Sequence, residues 1–297
     1  MRSVMLLSGL ALAVVSTGSR VAPAQAPSTD VWIVPLVARG PALTLGTPRN
    51  VTARAGYDNQ PSWATGGGAV FFTSNRDNTQ TDVFRFDLAS GLTVQVTNTP
   101  ESEYSATAIP GADAISVVRV ERDSAQRLWR FPLNGGTPSL VLADIRPVGY
   151  HAWIDARTLG LFVLGSPATL QIADASTGSA RVVARSIGRG LARVPGTASV
   201  AFIEKLSASD WWVMSYEPAT GTLTRIAPTL EGVEDFAWTP DGRLLMARES
   251  RVYVLNRRGR TWEVVGDLAA AGVAGITRLA VSPAGDRLAL VARDRTP

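Results

Sequence analysis

Six times along this chain a short apolar strand runs into a turn, and the spacing of those turns limits the fold more than any other feature. The anchors are Thr65 (WATGG), Pro110 (AIPGA), Asp155 (WIDAR), Pro195 (RVPGT), Pro240 (WTPDG) and Pro283 (VSPAG), separated by 45, 45, 40, 45 and 43 residues. Trp63, Trp153 and Trp238 each stand two positions before their anchor. Proline followed by glycine is what a tight turn requires, because proline pre-sets φ and glycine tolerates the positive φ that follows.

Each anchor is followed by a second strand: AVFFTS, AISVVRV, TLGLFVL, SVAFIEK, RLLMARE and RLALVAR. Five units then supply a third (DVFRFDL, RLWRFPL, TLQIADA, WWVMSYEP, RVYVLNR) and a fourth (LTVQVT, SLVLA, ARVVAR, LTRIAP, WEVVGD). In TDVFRFDL the residues Val83, Arg85 and Asp87 fall on one face, and Phe84, Phe86 and Leu88 on the other. This period of two identifies strands, and short connections make them antiparallel neighbours. Four strands repeating every 40 to 45 residues predict the blades of a propeller. The sixth unit has only two strands before Pro297, and DVWIVPL (Asp30–Leu36) with the region 43–52 supplies the missing pair. The predicted fold is all-β: a six-bladed β-propeller, residues 27–297, with N- and C-terminal strands completing one blade.

The segments QPSWATGGGAVFFTSNRD, FAWTPDGRLLMARES and LAVSPAGDRLALVAR resemble the WD40-like repeat of the TolB family. The resemblance covers about residues 30–297. It implies a six-bladed propeller of the kind that binds periplasmic partners in that family, notably the peptidoglycan-associated lipoprotein. Two departures stand out. The family's N-terminal α/β domain has no counterpart here, and the blades at Tyr150 and Gly188 lack the Pro-Asp-Gly turn.

The first 26 residues read as a signal peptide. Arg2 is a short positive region, Val4 to Val15 is apolar, and Ala22-Pro23-Ala24 or Ala24-Gln25-Ala26 offers a small-residue cleavage site. Pro27 is a poor residue just after a cut, which favours cleavage after Ala24. An apolar run of 12 residues is too short for a permanent membrane span. The expected product is periplasmic or secreted, a monomer without a transmembrane span.

The net charge of +4 includes Arg2 and Arg20 of the leader, and Lys205 is the only lysine. No basic run interleaves with aromatics, so nucleic acid is not the expected partner. Cysteine is absent, and His151 is the single histidine, which rules out the usual zinc ligand sets. Neither a Gly-x-Ser-x-Gly elbow nor a Ser-x-x-Lys pair occurs. We therefore expect no catalytic residues, no metal and no cofactor. Asn75 to Asn78 with Asp82 read as a polar turn rather than a calcium loop. Trp211 and Trp212, adjacent on one strand, point to opposite faces, one of them toward packing between blades.

In a propeller the first strand of each blade lines the central channel, and the segments leading into it form one rim. Here that rim carries Asp58, Gln60, Glu103, Tyr104, Tyr150, His151, Arg189, Glu234, Asp235 and Arg278. Loops on a rigid scaffold are where binding concentrates, and Tyr and Arg are favoured interface anchors. His151 has two readings, a polar group at the channel mouth or a packed, hydrogen-bonded core histidine. The function read from the sequence is an exported, non-enzymatic propeller that binds an envelope protein or a small-molecule ligand. The alternative is a propeller enzyme, a lactonase- or glycosidase-like hydrolase, with its site in the channel. The first-strand cores PSWA, SATA, HAWI, LARV, FAWT and LAVS are mostly small and apolar, which disfavours that alternative.

Overall fold

The structure is a computed structural model that describes residues 28–76, 79–256, 258 and 260–293. The leader, Asp77 with Asn78 in the polar turn, and Arg257 with Gly259 lie outside the described residues.

Among the described residues twenty-five strands follow one another in the order the repeat predicts. The chain opens with β1 (Thr29–Arg39), β2 (Ala42–Leu45) and β3 (Arg49–Asn50). Blade one is β4 (Tyr57–Trp63), β5 (Ala69–Asn75), β6 (Asp82–Asp87) and β7 (Thr93–Gln95). Blade two is β8 (Ser102–Ala108), β9 (Ala114–Val120), β10 (Gln126–Pro132) and β11 (Ser139–Leu142). Blade three is β12 (Val148–Trp153), β13 (Thr158–Val163), β14 (Thr169–Asp174) and β15 (Ala180–Arg185). Blade four is β16 (Ile187–Arg193), β17 (Val200–Lys205), β18 (Trp211–Glu217) and β19 (Thr222–Pro228). Blade five is β20 (Ala237–Trp238), β21 (Leu244–Arg248), β22 (Arg251–Asn256) and β23 (Thr261–Asp267). The last two strands, β24 (Arg278–Val281) and β25 (Arg287–Arg293), belong to blade six.

Blade six is completed from the front of the chain: its order is β24-β25-β1, with β2 and β3 paired to β1. Antiparallel partners run from Thr29↔Arg293 to Pro35↔Arg287. A single parallel contact, Thr29↔Tyr57, links this blade to blade one. The turns have the predicted chemistry, with Gly111 at φ 74° and Gly242 at φ 82° just past their prolines. The outermost strand of blade one is short. Of LTVQVT only Thr93–Gln95 forms a ladder, and Leu92 and Val94 are exposed on that edge.

The core is a ring of apolar slabs between neighbouring blades. Phe71, Val83 and Ile115 join blades one and two, and Val118, Trp153 and Leu161 join two and three. Phe162, Val200 and Phe202 join three and four, while Ile203, Phe236 and Trp238 join four and five. Val34, Leu245, Leu268 and Leu288 join five and six; Val31, Phe72, Phe84 and Val291 close six onto one. Each blade buries both faces. Val83 faces blade two while Phe84 and Phe86 face blade six, the split set by the alternation in TDVFRFDL. The anchor tryptophans wedge between blades: Trp63 Nε1 donates to the Ala280 carbonyl at 2.9 Å, and Trp153 Nε1 to Ser116 Oγ at 2.9 Å. Among the described residues no helix is long and apolar enough to cross a membrane.

Candidate functional site at the channel mouth

The first strands surround a central cavity of about 510 Å³. Its wall is built in tiers that follow the repeat. Five residues before the anchors stand Gln60, Ser105, Tyr150, Gly190, Asp235 and Arg278, and all six line the cavity. Two positions deeper the wall is small: Ser62, Thr107, Ala152, Ala192, Ala237 and Ala280. At the far end lie the turn prolines Pro110, Pro195, Pro240 and Pro283. The strand pleat alone does not produce the upper tier. Register irregularities occur between Asn59 and Ser62, Tyr104 and Thr107, Val148 and Tyr150, and Ile187 and Leu191. A bulge kinks its strand and re-aims the side chain beside it. Gln60 and Ser105, at φ +54°, take the left-handed backbone that such kinks demand. Gln60 Oε1 braces both by accepting from Ser105 N at 2.7 Å and Thr73 Oγ1 at 3.0 Å.

On the other side of the mouth the tier becomes charged. Arg278 Nη2 donates to the Tyr150 hydroxyl at 2.8 Å, and Arg278 Nη1 lies 3.3 Å from Asp235 Oδ2. Arg189 Nε approaches the same carboxylate oxygen at 3.5 Å, and Arg189 Nη2 donates to the Thr277 carbonyl at 3.3 Å. Glu234, just outside the cavity wall, accepts the Arg189 backbone N–H at 3.1 Å and is ion-paired to Lys205. Burial opposes the charge of Arg278, yet Asp235, Tyr150 and Tyr57 outweigh it and hold the guanidinium charged. Burial likewise pushes Glu234 up, and Lys205 with the Arg189 N–H brings it below its ordinary range. Tyr57 stands within electrostatic reach of Arg278, Tyr150, Tyr104 and Arg189. Burial, opposed by the two arginines, pushes its hydroxyl up to about 12. Tyr57 is absent from the sequence-derived rim because it lies ahead of the repeat frame and follows no periodic position.

The ten predicted rim residues divide. Gln60, Tyr150, His151, Arg189, Asp235 and Arg278 line the cavity. Glu234 and Tyr104 stand behind it, and Tyr104 packs against the apolar slab between blades two and three. Asp58 and Glu103 are corrections: both are fully buried and neither reaches the channel. They sit seven residues before their anchors, on the far side of the bulge, so their side chains turn inward to staple loops. Asp58 pairs with Arg54 at 3.2 Å, and burial raises it against Ser74 and that arginine. Glu103 Oε1 accepts from Thr99 Oγ1 at 2.6 Å and Arg119 Nε at 3.0 Å. Burial still pushes Glu103 up to about 7.

His151 combines its two readings: it borders the cavity but is buried and hydrogen-bonded. Its Nε2 lies 2.6 Å from Ser116 Oγ, which also receives Trp153 Nε1 and donates to the Thr107 carbonyl at 3.3 Å. His151 Nδ1 has no hydrogen-bond partner among the described residues. Burial takes the imidazole down to about 3. No described carboxylate orients this histidine through Nδ1, and Ser116, which it meets, also accepts from the Trp153 indole, so the contact ties blade two to blade three. Among the described residues no three acidic or histidine side chains converge as metal ligands would.

The fold and this mouth define a six-bladed β-propeller with a charged, aromatic funnel. No protein-family model matches the sequence, and no curated protein matches it. Among solved structures it is similar to a TolB candidate from Agrobacterium tumefaciens, with a TM-score of 0.72 and 16% identity over 91% of this chain and 100% of that one. TolB from Acinetobacter baumannii gives a TM-score of 0.54 and 13% identity over 88% of this chain and 63% of that one. An oligogalacturonate lyase from Vibrio parahaemolyticus gives 0.52 and 10% over 91% and 99%. At these identities the likeness concerns the fold, which is TolB-like.

Proposed function

We propose that this propeller is an exported, non-enzymatic binding module whose ligand or protein partner docks at the channel mouth. The observation that carries the reading is the cluster of Arg189, Asp235, Arg278 and Tyr150, drawn from four blades and joined by ion pairs and a hydrogen bond over an open cavity. Polar groups converging over a small apolar wall are the usual form of a binding site on a rigid scaffold. Export rests on the charged, apolar and small-residue pattern of the first 26 residues. The same fold serves an oligogalacturonate lyase, so a channel enzyme acting on an acidic sugar polymer is the second reading, and a turnover assay on polyuronates separates the two.

The test is affinity capture from an envelope extract with the parent protein, Arg189→Ala and Tyr150→Ala, with mass spectrometry of what is retained. The partner seen with the parent should be depleted at least fivefold with either variant, at a melting temperature within a few degrees of the parent. Arg189 is about one-third exposed and its backbone bond to Glu234 survives truncation, so little stability is at stake. Equal capture by both variants would move the site away from the mouth.

A further inference from the structure

Charge does not balance along the cavity wall. The lining holds three guanidiniums, Arg189, Arg193 and Arg278, against one carboxylate, Asp235. Arg193 stands at the far end, donates to the Thr197 carbonyl at 3.3 Å and has Asp155 within electrostatic reach. The imbalance therefore concentrates at the mouth, where Arg189 and Arg278 share one oxygen of Asp235 at 3.5 and 3.3 Å. Both separations exceed the ~2.7–2.9 Å of a strong charge-assisted bond. Glu234 does not restore neutrality, since Lys205 already takes it. Tyr150 accepts a hydrogen bond from Arg278, which leaves the hydroxyl proton to donate to an incoming oxygen. Two under-paired guanidiniums and a phenol proton are a receptor for a planar anion. Below them, on the same four blades, the wall is alanine (Ala152, Ala192, Ala237 and Ala280) with Leu191 and Leu279, and Ser62 and Thr107 complete the tier, so between the mouth and Arg193 it offers no charge and gives contact to a slim apolar chain.

Resting on the reading of the mouth as the binding site, we propose that it recognises a carboxylate, held by Arg189 and Arg278 with Tyr150, on a small ligand whose aliphatic portion enters the throat. The cavity of about 510 Å³ lies within the range of small-molecule sites, ~300–1,000 Å³. The fork of a guanidinium matches two carboxylate oxygens, and a concave wall of one sign concentrates such anions.

Octanoate and octanamide, equal in shape and differing in charge, serve as probes in calorimetric titration of the mature protein. Intrinsic fluorescence gives a second readout, because Trp153 and Trp238 border the cavity. The parent should bind octanoate at least tenfold more tightly than octanamide, and acetate more weakly than octanoate. Arg189→Gln should bring octanoate and octanamide to within threefold of each other. Arg193→Gln removes the same charge from the far end and should keep the tenfold preference. Equal binding of octanoate and octanamide by the parent, binding of neither, or a tenfold preference surviving Arg189→Gln would overturn the assignment. If an envelope protein is captured through the mouth while octanoate shows no advantage, the binding-module reading stands and the carboxylate assignment falls. If the carboxylate preference appears and no protein is captured, the assignment stands and the ligand is a small acid.

Discussion

At position 190 the upper tier has no side chain, and packing explains why. A Cβ built there would lie 2.3 Å from the Glu234 carbonyl oxygen and 3.2 Å from the Phe236 ring. Glycine lets the segment before β20 pass against β16, and that segment delivers Glu234 and Asp235 to the mouth. Gly190→Ala should cost roughly 1–3 kcal/mol through overpacking and should weaken ligand binding as well, since the displaced segment carries Asp235. Unchanged melting and affinity would mean that the contact is not fixed. Glu103 sets a pH dependence. Its guanidinium partner Arg119 also pairs with Glu101 at 3.3 Å and lies over the Trp129 ring at 4.2 Å. Burial raises the Glu103 carboxyl from 4.5 to about 7, so between those values the folded protein holds more protons than the unfolded chain. The contribution of this carboxyl is fully present below about 4.5 and is lost as pH rises toward 7. Melting temperature against pH should show this decline in the parent and a shallower one in Glu103→Gln, with a remainder from Asp58, which burial shifts the same way. Identical slopes would place the titration elsewhere. Residue types marked these acids as rim candidates, and only the backbone kink at each first strand decides which of Asp58 and Gln60, or Glu103 and Ser105, faces the channel.

Strands were more legible than side-chain directions, for a physical reason. Second strands such as AVFFTS and TLGLFV are apolar on both faces because two neighbouring blades cover them, and their bounds fall where turn residues begin. First strands are polar at one end and uneven in length, from seven residues in β4 to two in β20. β20 is only Ala237–Trp238, and nothing in EDFAW announces that the ladder starts so late. The completion of blade six was legible because the repeat left two strands over at each end. The register Thr29↔Arg293 to Pro35↔Arg287 makes that seam a full-length antiparallel ladder, with Val31, Val34, Leu288 and Val291 fully buried along it. Deleting residues 277–297 would strip β24 and β25 from this sheet, leaving an open edge on β1 and two uncovered apolar slabs. Open edges template aggregation, and repeat stability depends on neighbour interfaces. The truncated protein should lose solubility and melt far below the parent. Melting and solubility like the parent's would show that the seam contributes nothing.

The whole molecule differs from an open repeat array in one respect: every blade has two neighbours. In a linear solenoid the end units have a single interface and unfold at low cost, so unfolding spreads in from the ends. Here the first and last described strands, β1 and β25, lie side by side inside blade six, whose slabs against blades five and one are as apolar as the rest: Leu245, Leu268 and Leu288 on one side, Phe72, Phe84 and Val291 on the other. Opening any interface exposes two faces at once and leaves the remainder an arc that has lost its closure. The parent should therefore unfold in urea as one transition. Its midpoint should be the same by far-ultraviolet circular dichroism, which reports all blades, and by tryptophan fluorescence, which reports interfaces at Trp63, Trp153 and Trp238. A charge placed in the seam, Val291→Asp, attacks one interface of a fully buried strand. It should lower the midpoint and split the two probes apart, because the opened arc then loses blades from its ends. Coincident transitions in the variant would mean that the seam does not govern cooperativity. Separate transitions in the parent would mean that the blades unfold independently and the ring confers no cooperativity.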